Sequence, residues 1–262
     1  QNITFDKQNA QADQSNLQNI AHRFVNNKVD LICAIATPAA QTVANVTSDI
    51  PIVATAVTDY KTAKLVKDDA KPGTNVTGTT DMNPVAEQLD LLLKLVPNAK
   101  TIGTIYCSSE VNSQLQVELL KKAAAAKGIT VKEATVSTVN DIQQAARSLA
   151  GDVQAVYVPT DNVLASAIPT LISVTEEAKL PVICAEGGMV RAGGLATLGV
   201  DYYKLGFQTG VMAADILSGK AKPADMAIQA QKEFKPTINL KEAAKIGLKV
   251  PEDLLKGAEV IK

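Results

Sequence analysis

Five short loops of this chain place hydroxyl, amide or carboxylate side chains directly after apolar runs: residues 36–41 (ATPAAQ), 55–60 (TAVTDY), 107–113 (CSSEVNS), 159–162 (PTDN) and 185–188 (AEGG). Those residue types suit non-covalent recognition of a zwitterion. A carboxylate is held well by backbone N–H groups and hydroxyls at a helix N-terminus. Thr37 with Pro38 and Ala39, and Thr58 with Asp59 and Tyr60, answer that description. An ammonium wants a carboxylate, for which Asp161 and Glu186 compete. Ser109, Asn112 and Thr160 add polar groups, and Tyr60, Tyr106 and Tyr157 are candidate walls for the remainder of a ligand.

Each residue also has a purely structural reading. Thr37, Ser109, Thr160 and Asp161 are all residue types that cap helices. Tyr106 and Tyr157 could equally be core residues at strand ends. Glu186, standing before Gly187-Gly188, is the least easily explained as a cap. The convergence of five such loops says more than any one side chain.

Composition removes other chemistries. The single histidine, His22, lies in a helix-like stretch and reads as a surface residue, so a Ser–His triad has no evident base. Cys33, Cys107 and Cys184 each sit in or just after an apolar run, where cysteine usually serves as a small buried hydrophobe. Three widely spaced cysteines make no disulfide framework and no metal cluster, and no cofactor is expected. The Gly pair lacks the spacing of a dinucleotide or phosphate loop. With a formal net charge of -1 and no basic block, nucleic acid is not expected as a partner. No apolar run approaches the roughly 20 residues of a membrane helix.

The elements that must position the loops follow from periodicity. Apolar runs at 29–35, 50–54, 75–79, 100–106, 130–136, 155–158 and 181–184 predict strands, the first of them buried on both faces. Helical patterns fall at 38–46, 84–95, 111–127, 141–149, 164–178 and 202–217, with Gly128 and Gly151 as stops. Strands separated by helices need crossover connections. The expectation is an α/β fold of two doubly wound, mainly parallel sheets, each a lobe. In 262 residues there is room for both. Ligands bind such sheets beyond the carboxyl ends of the strands, where the five loops lie.

The residues quoted carry a resemblance. QNAQADQSNL at 8–17, VDLICAIATPAAQ at 29–41, PIV at 51–53 with Thr58-Asp59, KPGTNVTG at 71–78, PNAKTIG at 97–103, YVPTDN at 157–162 and GVDYYKLG at 199–206 together resemble the ABC-transporter substrate-binding family. That family belongs to the periplasmic-binding-protein type I superfamily, and the similarity is closest to its aromatic amino-acid binders. It implies two lobes joined by a hinge that the chain crosses three times. The first lobe is expected at 1–82 and 198–222, the second at 83–197 and 223–262. By similarity, Thr37 and Thr58 hold the carboxylate and Glu186 the ammonium, with Asp161 as its rival.

The resemblance further implies capture of an amino acid by hinge closure without catalysis. Delivery would be to a membrane permease, by a monomer outside the cytoplasm, periplasmic or lipid-anchored. It also implies a strand and helix before Asn2-Ile3-Thr4-Phe5, and the first sheet would have an unpaired edge without them. The alternative on the same fold is the effector-binding core of a transcription regulator.

Overall fold

A computed structural model describes residues 3–262. Helix α1 (Gln14–Asn26), strand β1 (Ile32–Ile35), α2 (Thr37–Val46), β2 (Ile52–Val57) and β3 (Val76–Thr80) open the chain. There follow α3 (Val85–Leu95), β4 (Thr101–Cys107), α4 (Val111–Ala126), β5 (Thr130–Val136), α5 (Ile142–Ala150) and β6 (Val156–Val158). The next stretch holds α6 (Asn162–Ser166), α7 (Ile168–Glu177), β7 (Val182–Cys184), α8 (Gly187–Arg191), β8 (Ala196–Gly199) and α9 (Tyr202–Leu217). Last come β9 (Gln229–Ala230), β10 (Lys235–Asn239), α10 (Leu240–Lys245), α11 (Glu252–Leu255) and β11 (Glu259–Ile261).

The strands form two sheets. One has the order β1-β2-β3-β9, all parallel, and the other β11-β10-β8-β7-β6-β4-β5, in which only β8 and β10 run antiparallel. The period of two along buried strands explains the layers. In the second sheet Val156 and Val158 face a core with α5 and α7, while Ala155 and Tyr157 face one built by α3 and α4. In the first sheet Ile32, Ala34, Ile52 and Ala54 pack toward α1 and α2, and Val53 packs on α9 through Met212, Ala213 and Ile216. This is the two-lobed, doubly wound α/β architecture expected.

Three local expectations are corrected. The helix predicted at 164–178 is broken at Ala167 (φ -139°), because Pro169 has no N–H to continue the ladder and its ring clashes with the preceding turn. β1 is not buried on both faces: Cys33 and Ile35 (68% exposed) are open to solvent, since α9 lies over β2 and β3 and β1 is an edge. Cys33 is therefore no core residue, unlike Cys107 and Cys184. Finally, β9 pairs with β3, so the chain remains with the first sheet to Ala230 instead of leaving it near Lys222. Ile3 and Phe5 are exposed and form no strand, and Asn2 lies outside the described residues. His22 is exposed on α1.

Gly78 decides how tightly the first sheet closes on its own loop. Its φ is +151°, and a Cβ there would overlap the Ala54 carbonyl and strike the Tyr60 hydroxyl. That hydroxyl donates to Ala54 O (2.9 Å) and Thr79 O (3.0 Å), pinning the 58–60 loop across the ends of β2 and β3. Gly78→Ala is expected to destabilise by at least about 3 kcal/mol in urea unfolding, from backbone strain and the loss of these bonds.

Candidate functional site

The carboxyl ends of both sheets face one another across three crossings of the chain, near residues 81–84, 199–201 and 230–235. On the first lobe, β1 ends at Ala36, which takes φ +77° and ψ 156°, a conformation costly for a residue with a Cβ. The strain lets α2 begin abruptly at Thr37-Pro38, with its first N–H groups at the strand end. Thr37 is 2% exposed and its hydroxyl has no hydrogen-bond partner. A buried polar atom without a partner is costly, so Thr37 is not explained as a cap. Pro38 and Ala39 are half-buried beside it.

Thr58 is buried and donates to Asp81 Oδ1 (3.1 Å), while Asp59 accepts from Thr62 N (2.7 Å) and only shapes its own turn. Asp81 is fully buried, and its other oxygen accepts from Tyr202 OH at 2.7 Å. Burial raises its pKa, with the two hydroxyl bonds opposing.

The second lobe offers a continuous polar network. Thr160 N donates to Gln116 Oε1 (2.7 Å), and its hydroxyl accepts from Gln116 Nε2 (3.0 Å) and from Asn83 Nδ2 (3.1 Å) on the first crossing. Asn112 Nδ2 donates to Thr160 O (2.8 Å) and Glu110 Oε2 (3.0 Å), leaving its own oxygen without a donor; Asn83 Oδ1 is orphaned likewise. Glu110 accepts from Asn162 N (3.0 Å) and Val163 N (3.2 Å), so a side chain on the loop before α4 satisfies the start of α6.

Several predicted roles need correcting. Asp161 is 1% exposed and accepts from Leu164 N (2.9 Å), Cys107 N (2.6 Å) and Ser113 Oγ (2.7 Å). It is a helix cap tying β4 to α6, already committed to three donors. Glu186 also caps, accepting from Gly188 N and Met189 N at the start of α8, contrary to the reading that capping suited it least. It remains half-buried and at the cleft. Ser109 caps nothing; it is exposed and its hydroxyl meets Cys107 Sγ at 3.2 Å. None of the three tyrosines stands as a ligand wall. Tyr60 and Tyr157 are fully buried in the cores, and Tyr106 turns away to Glu133 (2.9 Å) on β5. A strand-end aromatic faces whichever layer the period of two assigns to it.

Sequence reading missed Asp81, Asn83, Gln88, Glu110, Gln116 and Tyr202. Gln88 sits mid-helix, where an amide among leucines looks like a solvent-facing residue. It is fully buried, donates to Ala185 O (3.0 Å) and Leu198 O (2.8 Å), and accepts from Tyr157 OH (2.7 Å). One side chain thereby joins the Glu186 loop to the strand entering the second crossing. The available signal was its position three residues after Val85 and four before Leu92, on the apolar stripe of α3.

A cleft between two similar sheets, lined by a helix start and cation-free carboxylates, defines a class: two-lobed proteins that enclose a small solute. The chain belongs to the ABC transporter substrate binding protein family, whose profile matches residues 1–262. It is 47% identical over 220 residues to a tyrosine-binding protein of Clostridioides difficile (strain R20291), covering 84% of this chain. The alignment spans 64% of that relative's length. Among solved structures it resembles an ABC domain in complex with L-Trp from Streptococcus pneumonia, at TM-score 0.91 and 42% identity over 95% of this chain and 84% of that one. It also resembles the ligand-free, open form of a substrate binding protein with adhesive properties from Clostridium difficile, at TM-score 0.72 and 44% identity over 100% of this chain and 88% of that one. The family is one of substrate-binding proteins.

Two outcomes test the network. Gln88→Leu strands two carbonyls and the Tyr157 hydroxyl, and is expected to lower stability by about 3 kcal/mol in chemical denaturation. Burial first, and the neighbouring Glu110 charge second, push the Asp161 carboxyl up to about 6. A raised acid stabilises the fold fully below its unfolded value near 4 and ceases to as pH rises through 6. Urea midpoints measured from pH 4 to 7 should fall across that window, and Asp161→Asn should flatten the decline.

Proposed function

We propose that this protein captures an aromatic amino acid between its lobes by hinge closure and delivers it to an ABC permease at the outer face of a membrane. One observation carries the reading: Thr37 offers a buried, partnerless hydroxyl at the start of α2, and the opposing lobe offers Glu186 with no cation of its own. An α-carboxylate at the first and an α-ammonium at the second complete both. Thr58, held by Asp81, and Asn112 with Thr160 on the other lobe are the further polar groups of this reading.

The state of the lobes supports closure. Val111, the first residue of α4 in the second lobe, packs against the apolar cluster of the first lobe, and Asn83 bridges to Thr160. At nearly equal identity, the likeness to the L-Trp complex exceeds that to the open, ligand-free structure. The names of the tyrosine-binding relative and the L-Trp complex favour an aromatic side chain. No described helix is long and apolar enough to cross a membrane.

Titration calorimetry across the twenty amino acids should find tryptophan or tyrosine bound most tightly, well below millimolar. Absence of binding by every one of them overturns the reading. Thr37→Val should weaken the preferred ligand about tenfold, the effect of one lost charge-assisted hydrogen bond. It should leave the ligand-free melting temperature unchanged or raise it, because the methyl of valine replaces a buried hydroxyl that has no partner.

A further inference from the structure

The three crossings between the lobes are gripped from both sides. On the first-lobe side, Gln231 directly follows β9, whose Gln229 and Ala230 pair with Thr79 and Thr80 of β3. Its side chain accepts from Asp201 N (2.9 Å) and donates to Asp201 O (2.6 Å). Asp201 in turn caps α9, accepting from Tyr203 N (3.0 Å) and Lys204 N (3.1 Å). The first crossing joins the same junction, because Asp81 accepts from Tyr202 OH (2.7 Å) while its N–H pairs with Val57 O (3.2 Å). On the second-lobe side, Gly199 pairs with Lys235 and Leu198 with Pro236, and Gln88 of α3 holds Leu198 O (2.8 Å).

Between these grips lie three short segments: 82–84, Val200 and 232–234. Lys232 and Glu233 are exposed, and Met82 and Pro84 half-buried. Backbone held at both ends changes direction only in between, so rotation of one lobe on the other is confined to these segments. The Gln231 amide does here what a strand would do. A hydrogen-bonded residue in an antiparallel ladder exchanges two bonds with its partner, giving one N–H and accepting another. One carboxamide carries an acceptor and donors in a single plane and offers both. It therefore extends the β8–β10 ribbon from Gly199 to Asp201, past the last backbone pair, Gly199 with Lys235. The Asp201 N–H needs an acceptor and the Asp201 carbonyl a donor, a pair of demands that no apolar, anionic or cationic side chain meets.

We propose that Gln231 is the positioning residue of the hinge: by holding the Asp201 backbone it makes the second and third crossings bend together and gives closure a single path. Without it the third crossing is free of the second from Ala230 to Lys235, and the lobes sample orientations from which the cleft does not close. That population is subtracted from ligand affinity, and the loss appears as faster release because the closed form reopens more readily. Gln231 needs no contact with the solute. That closure encloses an amino acid rests on the reading above; the place of the bend does not.

The ligand-free test uses two spin labels. Cys33 on the first lobe is the exposed one of the three cysteines, and Ser148→Cys adds an exposed site on α5 of the second. Electron double resonance should give a broader distribution of label-to-label distances when Gln231→Leu is added; a distribution no broader overturns the proposal. The second test uses Gln231→Glu. As a carboxylate it accepts from Asp201 N and faces Asp201 O with nothing to donate, whereas protonated it has both functions of the amide. Release of L-tryptophan is followed by the ligand's own fluorescence, since the chain contains no tryptophan. At about pH 7.5 release should be about fivefold faster than from wild type, the effect of one lost hydrogen bond. At about pH 4.5, where a glutamate takes up its proton, it should return to within about twofold of wild type. Release unchanged at both, or accelerated equally at both, overturns the proposal, the second outcome marking Gln231 as merely structural. If wild type binds no amino acid, the amino-acid reading fails by itself and the label distances alone decide the hinge.

Discussion

Charge removed from water has to be answered by something nearby, and the cleft of this protein is organised around carboxylates that are answered without cations. Asp161 and Glu110 are met by backbone N–H groups of β4 and α6 and by hydroxyl and amide side chains. Glu186 is met by the first N–H groups of α8. Asp81 has two hydroxyls. The donors exist because a parallel sheet delivers every strand to the same end, where the next helix begins with orphaned N–H groups. The loops need little else to be polar, buried and ordered together.

That arrangement separates what holds the lobes from what the cleft offers. The crossings are fastened by neutral bonds: Gln231 exchanges two with the backbone of Asp201 (2.9 and 2.6 Å), and Gln88 spans Ala185 and Leu198. Neutral bonds survive changes of pH and salt. Of the unpaired buried groups, Thr37 Oγ1, Asn83 Oδ1 and Asn112 Oδ1 belong to the segments that follow strands, while Asp69 Oδ1, Thr104 Oγ1, Thr197 Oγ1 and Glu242 Oε1 lie elsewhere. Rigid lobes with unsatisfied facing surfaces are what a hinge needs to respond to a solute. The exposed ion pairs elsewhere, such as Lys132–Asp152 at 2.7 Å, add little to either task.

The tyrosines show the limits of reasoning from residue type. Each stands at the end of a strand, which in a parallel sheet means near the cleft. Yet Tyr60 folds back under Gly78, Tyr157 points into the α3 layer to meet Gln88, and Tyr106 lies across β5. Tyr202, at the start of α9, is the tyrosine whose hydroxyl reaches the cleft carboxylates.

Alternation of apolar runs with helical patterns was sufficient to read two doubly wound sheets and the five loops that follow their strands, because strand and helix periods are local properties of the chain. The same local logic identified Thr37 as a helix start, since Thr-Pro after an apolar run can hardly be anything else. Roles depending on distant neighbours were not legible. Whether Glu186 and Asp161 cap or wait for a ligand depends on which N–H groups the following turn presents. Whether Cys33 is buried depends on how far α9 reaches across the sheet. Asp81 carries no signal of its own in the sequence. Only the tertiary structure buries it against Thr58 and Tyr202, because electrostatic environment is a property of folded space and has no period along a sequence.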